Sequence, residues 1–283
     1  MKFIGRPTVG LALSGGSAKG LAHIGVIKAF EEAGIPIDMI AGTSMGALVG
    51  AFYAAGRDGA ELERIANSID RRQLLQLLDP GFNGGLMAGE KVYEFIDSFL
   101  RGATFEKCRV PFRVVTTDLR TGEPTIFDDG ELLPAIRASI SLPLVFNPVP
   151  YRDLLLTDGG LSLPLPARVV RDMGADIVIS VNVLSRLDPR AVVHPKGVSG
   201  IFSVANASID IMMRNLTKQD ATLSDIVIAP EVSSFNSRDF DRARPLIELG
   251  AVSAKEVLPR IKGAITAKTP PLRRLLTRLR SLH

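Results

Sequence analysis

At 283 residues, 46% hydrophobic and 23% charged, the chain is long and apolar enough to bury a large α/β core, which excludes a disordered protein. Its single cysteine, Cys108, excludes an internal disulfide framework and points to a reducing compartment such as the cytoplasm. The net charge of +4 is unevenly held: residues 255–283 carry +7 and the rest sum to −3. With no tryptophan and 6% aromatics, the basic end lacks the stacking platforms of a nucleic-acid binder.

The N-terminal MKFIGRPTVGLALSGG has no apolar run followed by small residues, so no signal peptide is read there. Val9–Ser14 is a continuous apolar strand that stops at Gly15-Gly16. Lys19–Ala33 follows as a helix with Leu21, Ile24, Val26, Ile27 and Phe30 apolar and Gly34 as its C-cap. Asp38–Gly42 is a second strand and Ser44–Ala55 a second helix. Met39–Gly56 carries no charge and has the length of a membrane span. Gly42, Thr43, Ser44, Gly46, Gly50 and Gly56 make it too small and polar, so it reads as strand, turn and helix.

Helical patterns at Gly59–Leu78 and Glu90–Leu100 flank the turn-rich Asp79–Gly85. Strands are expected at Pro111–Thr117 and Pro124–Phe127, a short helix at Glu131–Ser139, and a strand at Asp153–Thr157 ending in Asp158-Gly159-Gly160. A helix at Pro164–Met173, a strand at Asp176–Val183, a helix at Ile201–Lys218 and a strand at Asp225–Ile228 come next. The last helix, Asp239–Lys262, is expected to be interrupted at Pro245 and Pro259. This alternation predicts a three-layer α/β/α fold with a mostly parallel central sheet over residues 1–268, and a basic tail over 269–283.

Gly42-Thr43-Ser44-Met45-Gly46 is a G-x-S-x-G run between a strand and a helix. Such a turn exposes a serine hydroxyl at the end of a strand, and the helix N-terminus behind it favours developing negative charge. Ser14-Gly15-Gly16-Ser17-Ala18-Lys19-Gly20 is a second strand-to-helix turn. A right-handed β–α–β crossover puts both turns at the carboxyl edge of one sheet. Backbone N–H groups of Gly15, Gly16 and Ser17 are therefore candidate oxyanion donors for an attack by Ser44, and Lys19 adds positive potential. The same glycines do not make a phosphate loop, because Lys19 precedes Gly20, nor a dinucleotide fingerprint, because Ser17 stands where glycine is needed.

A serine nucleophile needs a base. His283 is terminal, His23 lies on the first helix, and His194 follows in the chain order Ser…Asp…His but reads as a polar loop residue. Asp158 ends an apolar strand and is followed by two glycines that permit close backbone approach. On spacing alone, Asp-Gly marks a turn.

Four blocks decide between these readings: LALSGGSAKGLAHIGVIKAFEEAGI (11–35), IAGTSMGALVGAFYAAG (40–56), VVTTDLRTGEPTIFDDGELLPAIRASISLPLVFNPV (114–149) and LTDGGLSLPLPARVVRDMGAD (156–176). In them the chain resembles the patatin-like phospholipase family, particularly its small bacterial members. The resemblance implies a Ser–Asp dyad without histidine: Ser44 as nucleophile, Asp158 as base, and Gly15, Gly16 and neighbours as oxyanion donors. It implies a lipid acyl hydrolase working through an acyl-enzyme, with a phospholipid or other acyl ester as substrate and no cofactor or metal. Ser17 stands where the family usually has a third glycine. That departure keeps open a low-turnover lipid-binding or regulatory protein, beside a general carboxylesterase or thioesterase.

Leu142, Pro143, Leu144, Val145 and Phe146, with the segment Phe82–Met87, are candidate acyl-chain contacts, with core packing the alternative. Asp118 is the competing carboxylate and reads as structural. The tail carries leucines at 272, 275, 276, 279 and 282 facing arginines. Such a helix suits peripheral contact with an anionic membrane or docking on the body, and both remain open. No nucleic-acid partner is expected, and the oligomeric state is not written in the sequence.

Overall fold

The computed structural model describes residues 5–69, 72, 85–186, 193–194, 197–198 and 200–270. Its frame is a sheet of β1 (Val9–Leu13), β2 (Met39–Thr43), β4 (Phe112–Asp118), β5 (Pro124–Phe127), β7 (Val149–Tyr151), β8 (Leu154–Asp158), β9 (Ile177–Val181) and β12 (Ile226–Ile228). The order is β12-β9-β1-β2-β4-β8-β7, with β5 pairing β4. From β12 to β4 all neighbours are parallel, while β8, β7 and β5 are attached antiparallel.

Period-2 alternation sorts the strand side chains by size. Val9, Leu11 and Leu13, with Ile40, Phe112, Val114, Ile177 and Ile179, face one core. The other face carries Ala12, Ala41, Val115 and Val178. Small residues there let α6 (Ala167–Asp172) lie close to the sheet, with Val169 and Val170 buried. The large-residue face is covered by α1 (Ala22–Ala33), α2 (Met45–Ala54), α3 (Gly59–Ser68), α5 (Leu132–Ser139) and α8 (Ala243–Lys268). The α4 helix (Glu90–Leu100) packs Ile96 and Leu100 into the same core. Against α6, on the small-residue side, runs α7 (Ile201–Ala221). The result is the three-layer, mostly parallel arrangement expected from the alternation of elements.

Several expectations change in detail. Ser17–Leu21 is a 3-10 turn, and α1 starts only at Ala22. The last helix is not interrupted: Pro245 sits in the first turn of α8, where no N–H is required, and Pro259 lies inside it. Buried Ala254 and Ile261 on either side hold that helix to the core across the missing bond. Leu144–Phe146 forms a strand, β6, parallel to β3 (Gly85–Met87) and outside the main sheet. A two-residue ladder, β10 (Val193–His194) with β11 (Gly197–Val198), precedes α7. The predicted helix from Gly59 is described to Ser68, and most of its remainder and the turn at 79–84 lie outside the described residues, as do tail residues 271–283. Among the described residues no helix is long and apolar enough to cross a membrane.

Candidate active site

The register pairs Leu13 with Gly42, so the turns that leave β1 and β2 emerge side by side at the carboxyl edge of the sheet. The elbow after β2 is enforced sterically. A Cβ on Gly42 would meet the backbone of Gly46 and Ala47, and one on Gly46 the Leu13 carbonyl. Ser44 between them has φ 53° and ψ −123°, a left-handed backbone rare for a residue with a side chain. Three hydrogen bonds fix it there. Its N–H donates to Ser139 Oγ at 2.8 Å, its carbonyl accepts from Leu48 N–H at 3.0 Å, and its hydroxyl donates to Asp158 Oδ2 at 2.6 Å.

Asp158 arrives from the antiparallel side. Thr43 pairs with Val115 and Thr116 with Asp158, so one strand, β4, separates the two residues and brings them level. Gly160 N–H donates to Asp158 Oδ1 at 2.7 Å, and Thr117 Oγ1 donates to the Asp158 carbonyl at 2.9 Å. Gly159 allows this turn, because a Cβ there would strike the Val115 carbonyl. Burial pushes the Asp158 carboxyl up to about 6, against the bonds from Ser44 and Gly160 that pull it down. A carboxylate so placed can take a proton from a hydroxyl near neutral pH.

The Gly-rich turn separates its three candidate donors. Gly15 is corrected as an oxyanion donor, since its N–H is committed to the Pro164 carbonyl at 2.9 Å. Gly16 and Ser17 N–H find no acceptor among the described residues, and both border the cleft that holds Ser44 and Asp158. Gly16 has φ 145° and Ser17 φ 48°, so the departure from glycine at Ser17 places a side chain on left-handed backbone. Lys19 lines the same cleft and is 9% exposed.

The remaining candidates stand apart from this pair. His23 is fully buried, and its Nε2–H donates to the Ser14 carbonyl at 2.8 Å, behind the Gly-rich turn. Burial pulls its pKa down to about 4, which keeps it neutral. His194 lies in β10, in a two-stranded ladder separate from the main sheet, and His283 lies outside the described residues. Asp118 accepts from Arg120 N–H, Leu155 N–H and Thr121 Oγ1, closing a turn as expected. Of the apolar stretch 142–146, Leu142 borders the cleft. No group of acidic, His and Cys side chains among the described residues is arranged to hold a metal ion.

Sequence reasoning missed Ser139. It ends α5, is wholly buried, accepts from Ser44 N–H and donates to the Val115 carbonyl at 2.6 Å, a relay that anchors the Ser44 turn to β4. A small polar residue between Ala138 and Ile140 at a helix end was the available signal. The helix predicted at Ile201–Lys218 is present as α7, but no sequence signal marked its Asp210 and Met213 as lining the cleft.

The profile described as Patatin-like phospholipase matches residues 11–171, a stretch holding both turns, Ser44, Ser139 and Asp158. The chain belongs to the patatin-like phospholipase family. It is similar to an uncharacterized NTE family protein of Mycobacterium tuberculosis, 42% identical over 178 residues that cover 62% of this chain and 49% of that protein. It is also similar to a protein named lysophospholipase from Aspergillus fumigatus, 28% identical over 285 residues, which cover 90% of this chain and 18% of that one. This patatin-like chain thus spans about half the length of its mycobacterial relative and less of the fungal one. Among solved structures, VipD from Legionella pneumophila has the same fold, with a TM-score of 0.60 at 12% identity over 90% of this chain and 67% of that chain.

Proposed function

We propose that this chain is a carboxylic ester hydrolase for lipid acyl esters, of the phospholipase A or lysophospholipase type, using Ser44 and Asp158 as a dyad. The observation that carries the reading is the bond from the Ser44 hydroxyl to Asp158, at 2.6 Å, beside a neighbouring turn with two uncommitted backbone amides. Asp158 takes the hydroxyl proton as Ser44 Oγ bonds to the ester carbonyl carbon. Gly16 and Ser17 N–H receive the oxyanion. The tetrahedral adduct then expels the alkoxide, which leaves with the proton from Asp158, and an acyl-serine remains. Water attacks that ester, Asp158 again relays the proton, and the fatty acid departs with Ser44 restored. No cofactor enters these steps. Lys19, nearly buried at the mouth, suits a substrate with an anionic group, which favours a phospholipid or lysophospholipid over a neutral ester.

Hydrolysis of a p-nitrophenyl acyl ester tests the reading. Ser44→Ala is expected to abolish turnover while the protein stays folded. Because Asp158 works only when ionised and its pKa is raised to about 6, kcat/KM is expected to fall with decreasing pH through that value, about tenfold per unit. Unchanged turnover in Ser44→Ala refutes the assignment.

A further inference from the structure

The cleft above Ser44 and Asp158 occupies about 450 Å³ counting its open mouth, but only about 20 Å³ of it can take a water-sized body. That is room for about one water molecule and none for an acyl chain. The floor is made by the rigid strand-end turns, so admission of an ester depends on the wall. That wall is α7. Met213 is 4% exposed, and its thioether methyl lies against Gly15, beside Ser44, and against Gly160, beside Asp158. One turn earlier on the same inward side, Asp210 lines the cleft, and the charge acting on it is the ammonium of Lys19. The helix therefore fills the apolar part of the site with Met213 and sets a carboxyl opposite the buried cation.

Its outward side is apolar too. Met212 is 63% exposed, Ile211 46% and Val204 39%. Positions 204, 208, 211 and 212 share one face, and 210, 213 and 217 share the opposite one. The exposed apolar patch is thus continuous, through one helix, with the cover of the cleft. The cleft itself presents Lys19 and Arg186, which complement a phosphodiester.

We infer that the outer face of α7, through Val204, Ile211 and Met212, is the surface by which this protein meets an aggregated phospholipid surface, and that this contact draws Met213 off the dyad. The inference rests on the proposed hydrolase reading and names its regulation. In water the outward side chains remain exposed and the cover stays shut. At a lipid surface they transfer into the acyl region, α7 shifts, Asp210 leaves Lys19, and the phosphate of an incoming phospholipid takes its place. Lipid or ester in monomeric form supplies no such apolar phase, so it reaches Ser44 only as fast as α7 opens unaided.

The test uses the full chain and phosphatidylcholine vesicles, whose lack of net charge keeps the basic tail from dominating binding. Flotation of wild type is compared with Ile211→Glu/Met212→Glu. The double variant is expected to bind at least tenfold more weakly while circular dichroism and Tm show it folded. Equal binding, or no binding by wild type, overturns the inference. Should the wild type prove to be a dimer that the variant dissolves, the face serves self-association and the inference also fails. Met213→Ala supplies an independent reading of the cover: labelling by a fluorophosphonate without lipid is expected to accelerate at least fivefold, and an unchanged rate contradicts a closed cover. Flotation needs no turnover, so its failure is distinguishable from failure of the Ser44–Asp158 assignment, which Ser44→Ala reads.

Discussion

The turns at Ser44 and at Ser17 leave neighbouring parallel strands at the same height, and each holds a serine on left-handed backbone, at φ 53° and 48°. Their surroundings differ. Around Ser44, Gly42 and Gly46 have backbone where a Cβ would go, and the serine uses its N–H, its carbonyl and its hydroxyl in hydrogen bonds. Around Ser17, a Cβ on Gly16 would meet the Val183 side chain rather than backbone, one on Gly15 would make only ordinary contacts, and the Ser17 hydroxyl has no partner among the described residues. That turn is tied down by its neighbours instead: Gly15 N–H to Pro164, Ala18 N–H to Ser237 and Lys19 N–H to Gly16. Strain at the first serine is over-determined by packing and bonding. At the second it is held by backbone bonds of the neighbouring residues and by side-chain packing at Gly16, with no bond from the serine's own hydroxyl, beside two amides left free for a ligand.

Three substitutions sharpen this contrast. Gly46→Ala forces a methyl onto the Leu13 carbonyl and is expected to cost about 3 kcal/mol or more in urea unfolding. A loss under about 1 kcal/mol would mean the elbow is not packed as described. Ser139→Ala leaves the buried Ser44 N–H without an acceptor. It is expected to lower kcat by roughly 10- to 100-fold with KM little changed, because the nucleophile drifts while the cleft keeps its walls. A change in KM alone would remove Ser139 from the positioning of Ser44. Ser17→Gly relieves a strain that nothing else offsets and is expected to raise stability by about 1 kcal/mol, leaving the N–H in place. Destabilisation would show that the hydroxyl holds the turn.

The parts legible in the sequence are those set by local pattern. Apolar runs ending in Gly15-Gly16 and Gly42-Thr43-Ser44 mark two strands and two turns, and Gly34 caps α1 at φ 67° as its position suggests. The β–α–β handedness then puts both turns on one edge. What spacing could not supply was long-range pairing. That β8 runs antiparallel to β4, and so carries Asp158 level with Ser44, depends on a strand register that pairs Thr116 with Asp158. Ser139 and Gly15 illustrate the same limit: one gains a role and the other loses an amide through partners 95 and 149 residues away. Pro245 and Pro259 show propensity overridden, since a first-turn position costs nothing and core packing carries the helix past the second.

The dyad is tested most directly by following covalent labelling with a fluorophosphonate by intact mass in wild type, Ser44→Ala and Asp158→Asn. A single adduct on Ser44 is expected in wild type, none there in Ser44→Ala, and a rate lower by ~10²–10⁴ in Asp158→Asn, the usual worth of a positioned general base. An Asp158→Asn protein that labels at the wild-type rate would show that the carboxylate bonded to Ser44 does not activate it.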